Sequence, residues 1–103
     1  MPHIRFRPQA RAEIREARGW YEGQVAGLGR AFIAELDATL AFLRLHPQMY
    51  ASVSEDGKVR RALLHRFPYS LVYEVIDVDE IVVLACRHVR QDEVDWNLAR
   101  RDV

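Results

Sequence analysis

Arg60, Arg61, Arg66, Tyr73, His88, Arg90 and Trp96 carry most of the distinctive chemistry of this sequence, all of it between Val59 and Trp96. Arginine holds a phosphate or a carboxylate through its planar fork of N–H donors. Histidine gives or takes a proton near neutral pH. Tryptophan has no hydroxyl to exchange a proton, but its ring can stack on a base. On adjacent strands, Arg60 or Arg61 with Arg90, Tyr73 and His88 would form a phosphate pocket. A plainer reading stands beside it: His88 caps a strand end through the backbone, the arginines line a solvated strand face, and Tyr69 and Tyr73 pack within a sheet. Arg60, Arg61 and Arg66 equally suit an acidic segment of a partner protein.

Other chemistries find no support. His3, His46 and His65 have no mutual spacing that suggests a metal site. There is no glycine-rich phosphate loop and no Ser-His-Asp signature. The one cysteine, Cys86, excludes an internal disulfide framework and a cysteine-based zinc cluster. It ends an apolar run and reads as a buried, inert thiol. No cofactor and no metal is expected.

The elements that must position these residues emerge from the pattern. His3 to Phe6 alternates as a short edge strand, and Pro8 suits the first turn of a helix because its missing N–H costs nothing there. Ala10, Ile14, Ala17, Tyr21 and Val25 recur at helical spacing. Gly19 weakens that helix by about 1 kcal/mol relative to alanine, and close approach of a second helix would explain it. Gly27-Leu28-Gly29 breaks the chain. A second helix from about Arg30 to His46 carries Phe32, Leu36, Leu40 and Leu43, broadened by Ile33 and Phe42, until Pro47 stops it. The two helices read as an antiparallel hairpin.

Gln48 to Lys58 is expected to be a loop, with Asp56-Gly57 as a turn signal. Val59 to Arg66 is a strand with Val59, Arg61, Leu63 and His65 on one face and Arg60, Ala62, Leu64 and Arg66 on the other. Phe67-Pro68 bends the chain, Tyr69 to Ile76 is the next strand, and Asp77 to Glu80 is a tight acidic turn. Ile81 to Cys86 is continuously apolar, as in a central strand covered on both faces. Asp92 suits the N-cap of a short terminal helix through Arg101. The expected fold is therefore α+β: an N-terminal strand and a two-helix antiparallel hairpin packed on a small, mostly antiparallel sheet with a three-stranded meander, then a short C-terminal helix. One hairpin covers only one face of that sheet. The other face needs cover from the terminal helix and from another chain.

At 103 residues, half of them hydrophobic, residues 1–103 form a single domain with one core. No apolar run approaches the ~18–20 residues of a membrane span, and the first residues lack an apolar signal region. A cytoplasmic protein that does not engage membranes is the expectation. Formal net charge is zero, which weakens a nucleic-acid-binding reading without removing a local basic patch. Such a patch exists, since Lys58 to Arg66 holds Lys58, Arg60, Arg61 and Arg66 and no acid.

The order of elements, Arg60-Arg61 followed by Leu63-Leu64, Phe67-Pro68-Tyr69, Leu71-Val72-Tyr73, and His88-x-Arg90 with Trp96 after it resemble the RelE/ParE superfamily of bacterial toxins, in its ParE-like, plasmid-stabilisation branch. The resemblance covers almost the whole chain, including Gly27-Leu28-Gly29, Phe32 and His46-Pro47. It implies the toxin half of a type II toxin–antitoxin pair. The partner would be a cognate antitoxin, ParD-like or RelB-like, with a DNA-binding part and a tail that wraps the toxin. Operator DNA would be reached only through that antitoxin. Members of the superfamily either poison DNA gyrase by binding or cut messenger RNA on the ribosome. For a nuclease, the resemblance implies Arg61 and Arg90 as catalytic residues, and His88, a general base or acid near neutral pH, would replace chemistry that the family pattern has lost here. Here, however, Leu63 stands where a second lysine is typical, Ser70 where an arginine is, and Trp96 in place of a tyrosine. Gyrase inhibition without catalysis is therefore placed ahead of messenger RNA cleavage, with a degenerate toxin kept as a regulatory module third. In the first case Arg60, Arg61, Arg66, Tyr73, Arg90 and Trp96 would bind the target or the antitoxin.

Overall fold

A computed structural model describes residues 1–100. The chain runs β1 (His3–Phe6), α1 (Pro8–Gln24), α2 (Leu28–Leu45), β2 (Ala51–Ser52), β3 (Val59–Leu63), β4 (Tyr69–Asp77), β5 (Glu80–His88) and α3 (Trp96–Ala99). The five strands form one sheet in the order β1-β5-β4-β3-β2. β1 runs parallel to β5, and every other pairing is antiparallel. The α+β architecture is the one the sequence pattern implies.

Pro8 occupies the first turn of α1, as its fixed φ favours. Ala10, Ala17 and Tyr21 are buried on one stripe of α1, and Phe32, Leu36 and Leu43 on the facing stripe of α2. Val25 leaves this stripe: its backbone is extended, it terminates α1, and its side chain is exposed. α2 begins at Leu28, two residues before the expected start. Gly27, at φ 89°, makes the turn, and the Glu22 carboxylate accepts from the N–H groups of Gly27 and Gly29. These two backbone donors are the main cause of a lowered Glu22 pKa. α2 ends at Leu45, just before Pro47.

The close approach of the helices falls on Gly29, not Gly19. A Cβ at Gly19 would meet nothing within 4 Å, whereas one at Gly29 would lie 2.8 Å from the Arg18 carbonyl oxygen. Gly29→Ala should therefore destabilise the fold by ~1–3 kcal/mol through overpacking against backbone, and Gly19→Ala should slightly stabilise it. Urea midpoints of the two variants check this.

The helix hairpin packs on one face of the sheet, against Ala62, Leu64, Leu71, Tyr73, Ile81, Val83 and Cys86. The opposite face holds Val59, Val72, Val82, Leu84 and Ala85, and Trp96 closes it with Val94 and Ala99 packed alongside. An extra residue in β5, where the register steps from Val72/Ala85 to Tyr73/Val83, lets Leu84 and Ala85 share that face. The terminal helix starts later than expected. Asp95, not Asp92, is its N-cap, accepting from Asn97 N–H at 3.0 Å, and it spans only Trp96–Ala99 before Arg100. Arg101, the expected end, lies outside the described residues.

Polar ties hold this terminal segment against the sheet. Arg87 donates to the Asp92 carbonyl at 2.6 Å, Glu55 N–H to Asn97 Oδ1 at 3.0 Å, and Arg7 to the carbonyls of Ala99 and Arg100. Arg100 forks onto both oxygens of Asp56 and sits 3.6 Å from Glu74. That fork, then the Lys58 N–H and the Ser54 hydroxyl, holds the Asp56 carboxyl well below its ordinary value of 3.8. A carboxyl depressed by folding stabilises the folded chain above the ordinary carboxylate range, and that contribution is lost as pH falls through the depressed value. Acidification should therefore loosen the segment at Trp96. In a Trp20→Phe background, the Trp96 emission should shift to the red at acid pH, and Asp56→Asn, which removes this one surface tie at every pH, should shift it only slightly at neutral pH.

Candidate functional site

The helix-free face of the sheet carries an open groove of about 710 Å³ between β3, β4, the end of β5 and the chain leading into α3. Arg61, Leu63, Ser70, Arg87, His88 and Trp96 line it, with Met49 and Val89 at its rim. Strand alternation explains the floor. Arg61 and Leu63 point to this face of β3, and across the ladder Arg61 faces Val72 and Leu63 faces Ser70. Ser70 in turn faces Arg87. With strands about 4.8 Å apart, two strands and one diagonal step separate the Cα atoms of Arg61 and Arg87 by roughly 12 Å. Two guanidinium groups can thus flank one ligand.

Arg61 is exposed, and among the described residues no ion pair engages it. Leu63 beside it is 57% exposed, and Met49 and Val89 are exposed as well. The groove joins the free Arg61 charge to open apolar surface, with Asp92 and Glu93 also in its lining. Arg87 is the groove residue that the sequence pattern misses. It stands one residue before His88, but its face depends on the extra residue in β5, which no alternation reveals.

Of the expected site residues, Arg61 and Trp96 lie here, and His88 borders the groove from the end of β5 with its ring turned toward Tyr69 on the helix side. His88 is half-buried at the end of β5, its ring edge-on to Tyr69 at 5.1 Å. Its Nδ1 accepts from Arg90 N–H at 3.0 Å. That bond engages Nδ1 with the backbone and leaves Nε2 as the free ring nitrogen. Trp96 is 9% exposed and plugs the second core, so its face is spent on Val59, Val72 and Leu84 rather than offered to a base. Ser70 is buried.

The remaining residues do not join the groove. Arg60 points to the helix-covered face, where its Nη1 donates to the carbonyls of Gln48 at 3.1 Å and Tyr50 at 2.7 Å. It ties down the chain between α2 and β2. Tyr73, expected to bind a partner, is fully buried and donates its hydroxyl to the Pro47 carbonyl at 2.7 Å. Burial pushes its pKa up to about 12. Tyr73→Phe should lower stability by ~1–2 kcal/mol, since it leaves a carbonyl without its partner, and should leave partner binding intact; denaturant melts and a pull-down measure the two. Arg66 is exposed at the corner after β3, 5.6 Å over the Phe67 ring, with its N–H held by Glu35. Arg90 is exposed in the turn after β5. Cys86 is buried, and burial followed by the nearby Glu13 charge raises its pKa to about 12, so the thiol is inert. Among the described residues no cluster of three or more His, Cys, Asp or Glu side chains could hold a metal ion, and no helix is long and apolar enough to cross a membrane.

Comparison with known proteins bears on this arrangement. A solved chain described as "Chromosomal ParDE TA system from P. aeruginosa" superposes with a TM-score of 0.70 at 19% identity, over 85% of this chain and 96% of that chain. At that identity the likeness concerns the fold. No curated protein matches the sequence significantly. The family described as "ParE toxin of type II toxin-antitoxin system, parDE" matches residues 4–93, which include both long helices and all five strands, β1 from its second residue. The chain belongs to the ParE toxin family of type II toxin–antitoxin systems.

Proposed function

We propose that this toxin acts by binding DNA gyrase and blocking replication, without catalysis, and that a cognate antitoxin neutralises it by covering the groove on the helix-free face. The observation that carries this reading is the composition of the groove. Beside Asp92 and Glu93 it offers Arg61, unpaired among the described residues, and exposed Leu63, Met49 and Val89, which suits a protein surface of mixed charged and apolar side chains. Cleavage of RNA needs a base, phosphate-binding cations and a proton donor for the leaving group. His88 has its Nδ1 engaged by the backbone, Tyr73 is on the other face, and Trp96 is packed away. Operator DNA would be engaged through the antitoxin alone, since a chain of zero formal net charge lacks the basic excess that drives direct binding to phosphates.

The test is induced expression followed by a gyrase assay. Growth should arrest, the purified chain should trap cleaved DNA with purified gyrase, and RNA should stay intact. Coexpression of the antitoxin should restore growth. Arg61→Glu should weaken capture of the target or the antitoxin by about tenfold, the scale of an interface arginine, while His88→Ala leaves it within about twofold. A second reading, ribosome-dependent messenger RNA cleavage, draws on Arg61 and His88 lining one groove. It predicts cut messages on ribosomes, lost in both Arg61→Ala and His88→Ala. Absence of any growth arrest would favour a degenerate toxin that only binds its antitoxin.

A further inference from the structure

On the helix side of the sheet, a second cavity of about 590 Å³ opens where β1 stops short and leaves the last residues of β5 without a strand on that edge. Its wall on α1 is Glu13, Glu16, Ala17 and Trp20, at the spacing of one helix face, and its floor includes Tyr69 and His88. No lysine or arginine lines it. Glu13 substitutes for the missing strand: its Oε1 accepts the Cys86 N–H at 2.9 Å. Glu16 is exposed, and among the described residues neither carboxylate enters an ion pair. The Glu16 charge reaches the floor, where it adds to the burial that raises the Tyr69 pKa. Trp20 is 58% exposed, held edge-on to Tyr21 at a centroid distance of 5.1 Å, so one large ring stands at the cavity mouth without cover.

An uncovered indole beside the unengaged Glu16 carboxylate, with Glu13 held by the Cys86 N–H and by Gln9, fits one chemical group best. We infer that this cavity is a binding site for an arginine side chain presented by a partner protein, with the guanidinium stacked on Trp20 and forked onto Glu16. Charge complementarity selects a cation, and the flat ring together with the carboxylate selects a planar, bidentate one over a lysine ammonium. The site differs from the Arg61 groove, which is lined by Arg61 and Arg87 together with Asp92 and Glu93 and opens on the other face, although His88 and Gln91 border both. It does not depend on which protein supplies the arginine.

The experiment titrates N-acetyl-arginine amide into the full chain and follows the Trp20 indole N–H resonance, with N-acetyl-citrulline amide as the neutral isostere. A saturable shift at roughly millimolar affinity is expected for arginine only. Glu16→Gln should weaken it about tenfold and Trp20→Ala at least about twofold, read on neighbouring amides. Both residues are exposed, so unchanged melting curves should accompany the loss. Equal shifts with citrulline, no saturation with arginine, or an unchanged affinity in Glu16→Gln would overturn the assignment. So would sedimentation showing that Glu16→Gln breaks a self-associated form, which would make the face an interface between copies of this chain.

Discussion

Trp96→Ala should cost about 3–5 kcal/mol, the range for deleting a buried aromatic side chain. Among the described residues, Trp96 is the one large side chain of the terminal segment that reaches Val59, Val72, Val82, Leu84 and Ala85. Without it, the remaining cover is Val94 and Ala99, both partly buried. The polar ties through Arg87, Asn97 and Arg100 lie near the surface, where each contributes little by itself. The segment should therefore detach before the rest of the fold. Hydrogen exchange should rise first at residues 94–100 and along the β3–β4 ladder, while the helix hairpin stays protected. Trp96→Phe, which keeps a ring in the same space, should cost only about 1–2 kcal/mol. The pair also tests whether the indole is a recognition element. If Trp96→Phe retained stability but abolished growth arrest, the packing assignment of Trp96 would fail and a stacking role would take its place.

What the sequence conveys about this fold depends on how many independent constraints act on each residue. β1 is legible to the residue, because Ile4 and Phe6 alternate against arginines and Pro8 ends the strand by starting α1. β3 is legible in its faces, because Ala62 must be buried and Arg61 need not be. β4 is not. Ser70, Leu71, Val72 and Tyr73 are all buried, so composition does not reveal which face Tyr73 takes. The extra residue in β5 hides Arg87 in the same way. β2, at two residues, is too short to show a period and exists only because β3 offers an edge. Capping preference alone points to Asp92 for the start of α3, yet Asp92, Glu93 and Asp95 are all acids close to that start. The choice among them falls to whichever lets Trp96 reach the second core. The helix contact at Gly29 is likewise a tertiary fact: two glycines in different helices look alike until the Arg18 carbonyl is placed.

Phe32→Ala should be the most damaging change on the opposite face, at about 3–5 kcal/mol, a large share of the roughly 5–15 kcal/mol that holds a domain folded. Phe32 is fully buried and lies 5.5 Å from Tyr21, 5.3 Å from Phe67 and 5.5 Å from Tyr69, centroid to centroid. These rings belong to α1, to the corner after β3 and to the start of β4, so one side chain joins the hairpin to the sheet. The loss should be global, in contrast to Trp96→Ala: fluorescence and circular dichroism should report one coincident transition with a lowered midpoint. Phe32→Leu, which keeps most of the volume but loses the ring pairing, should cost about 1–3 kcal/mol. Tyr69 also carries the effect to the functional surface, because its other neighbour is the His88 ring at 5.1 Å. In Phe32→Leu, still folded, the His88 ring protons should shift while the Trp96 indole resonance stays in place. That outcome would show that the two faces of the sheet are held by separate cores, the helix side setting the His88 ring and the terminal segment setting the groove beside Arg61.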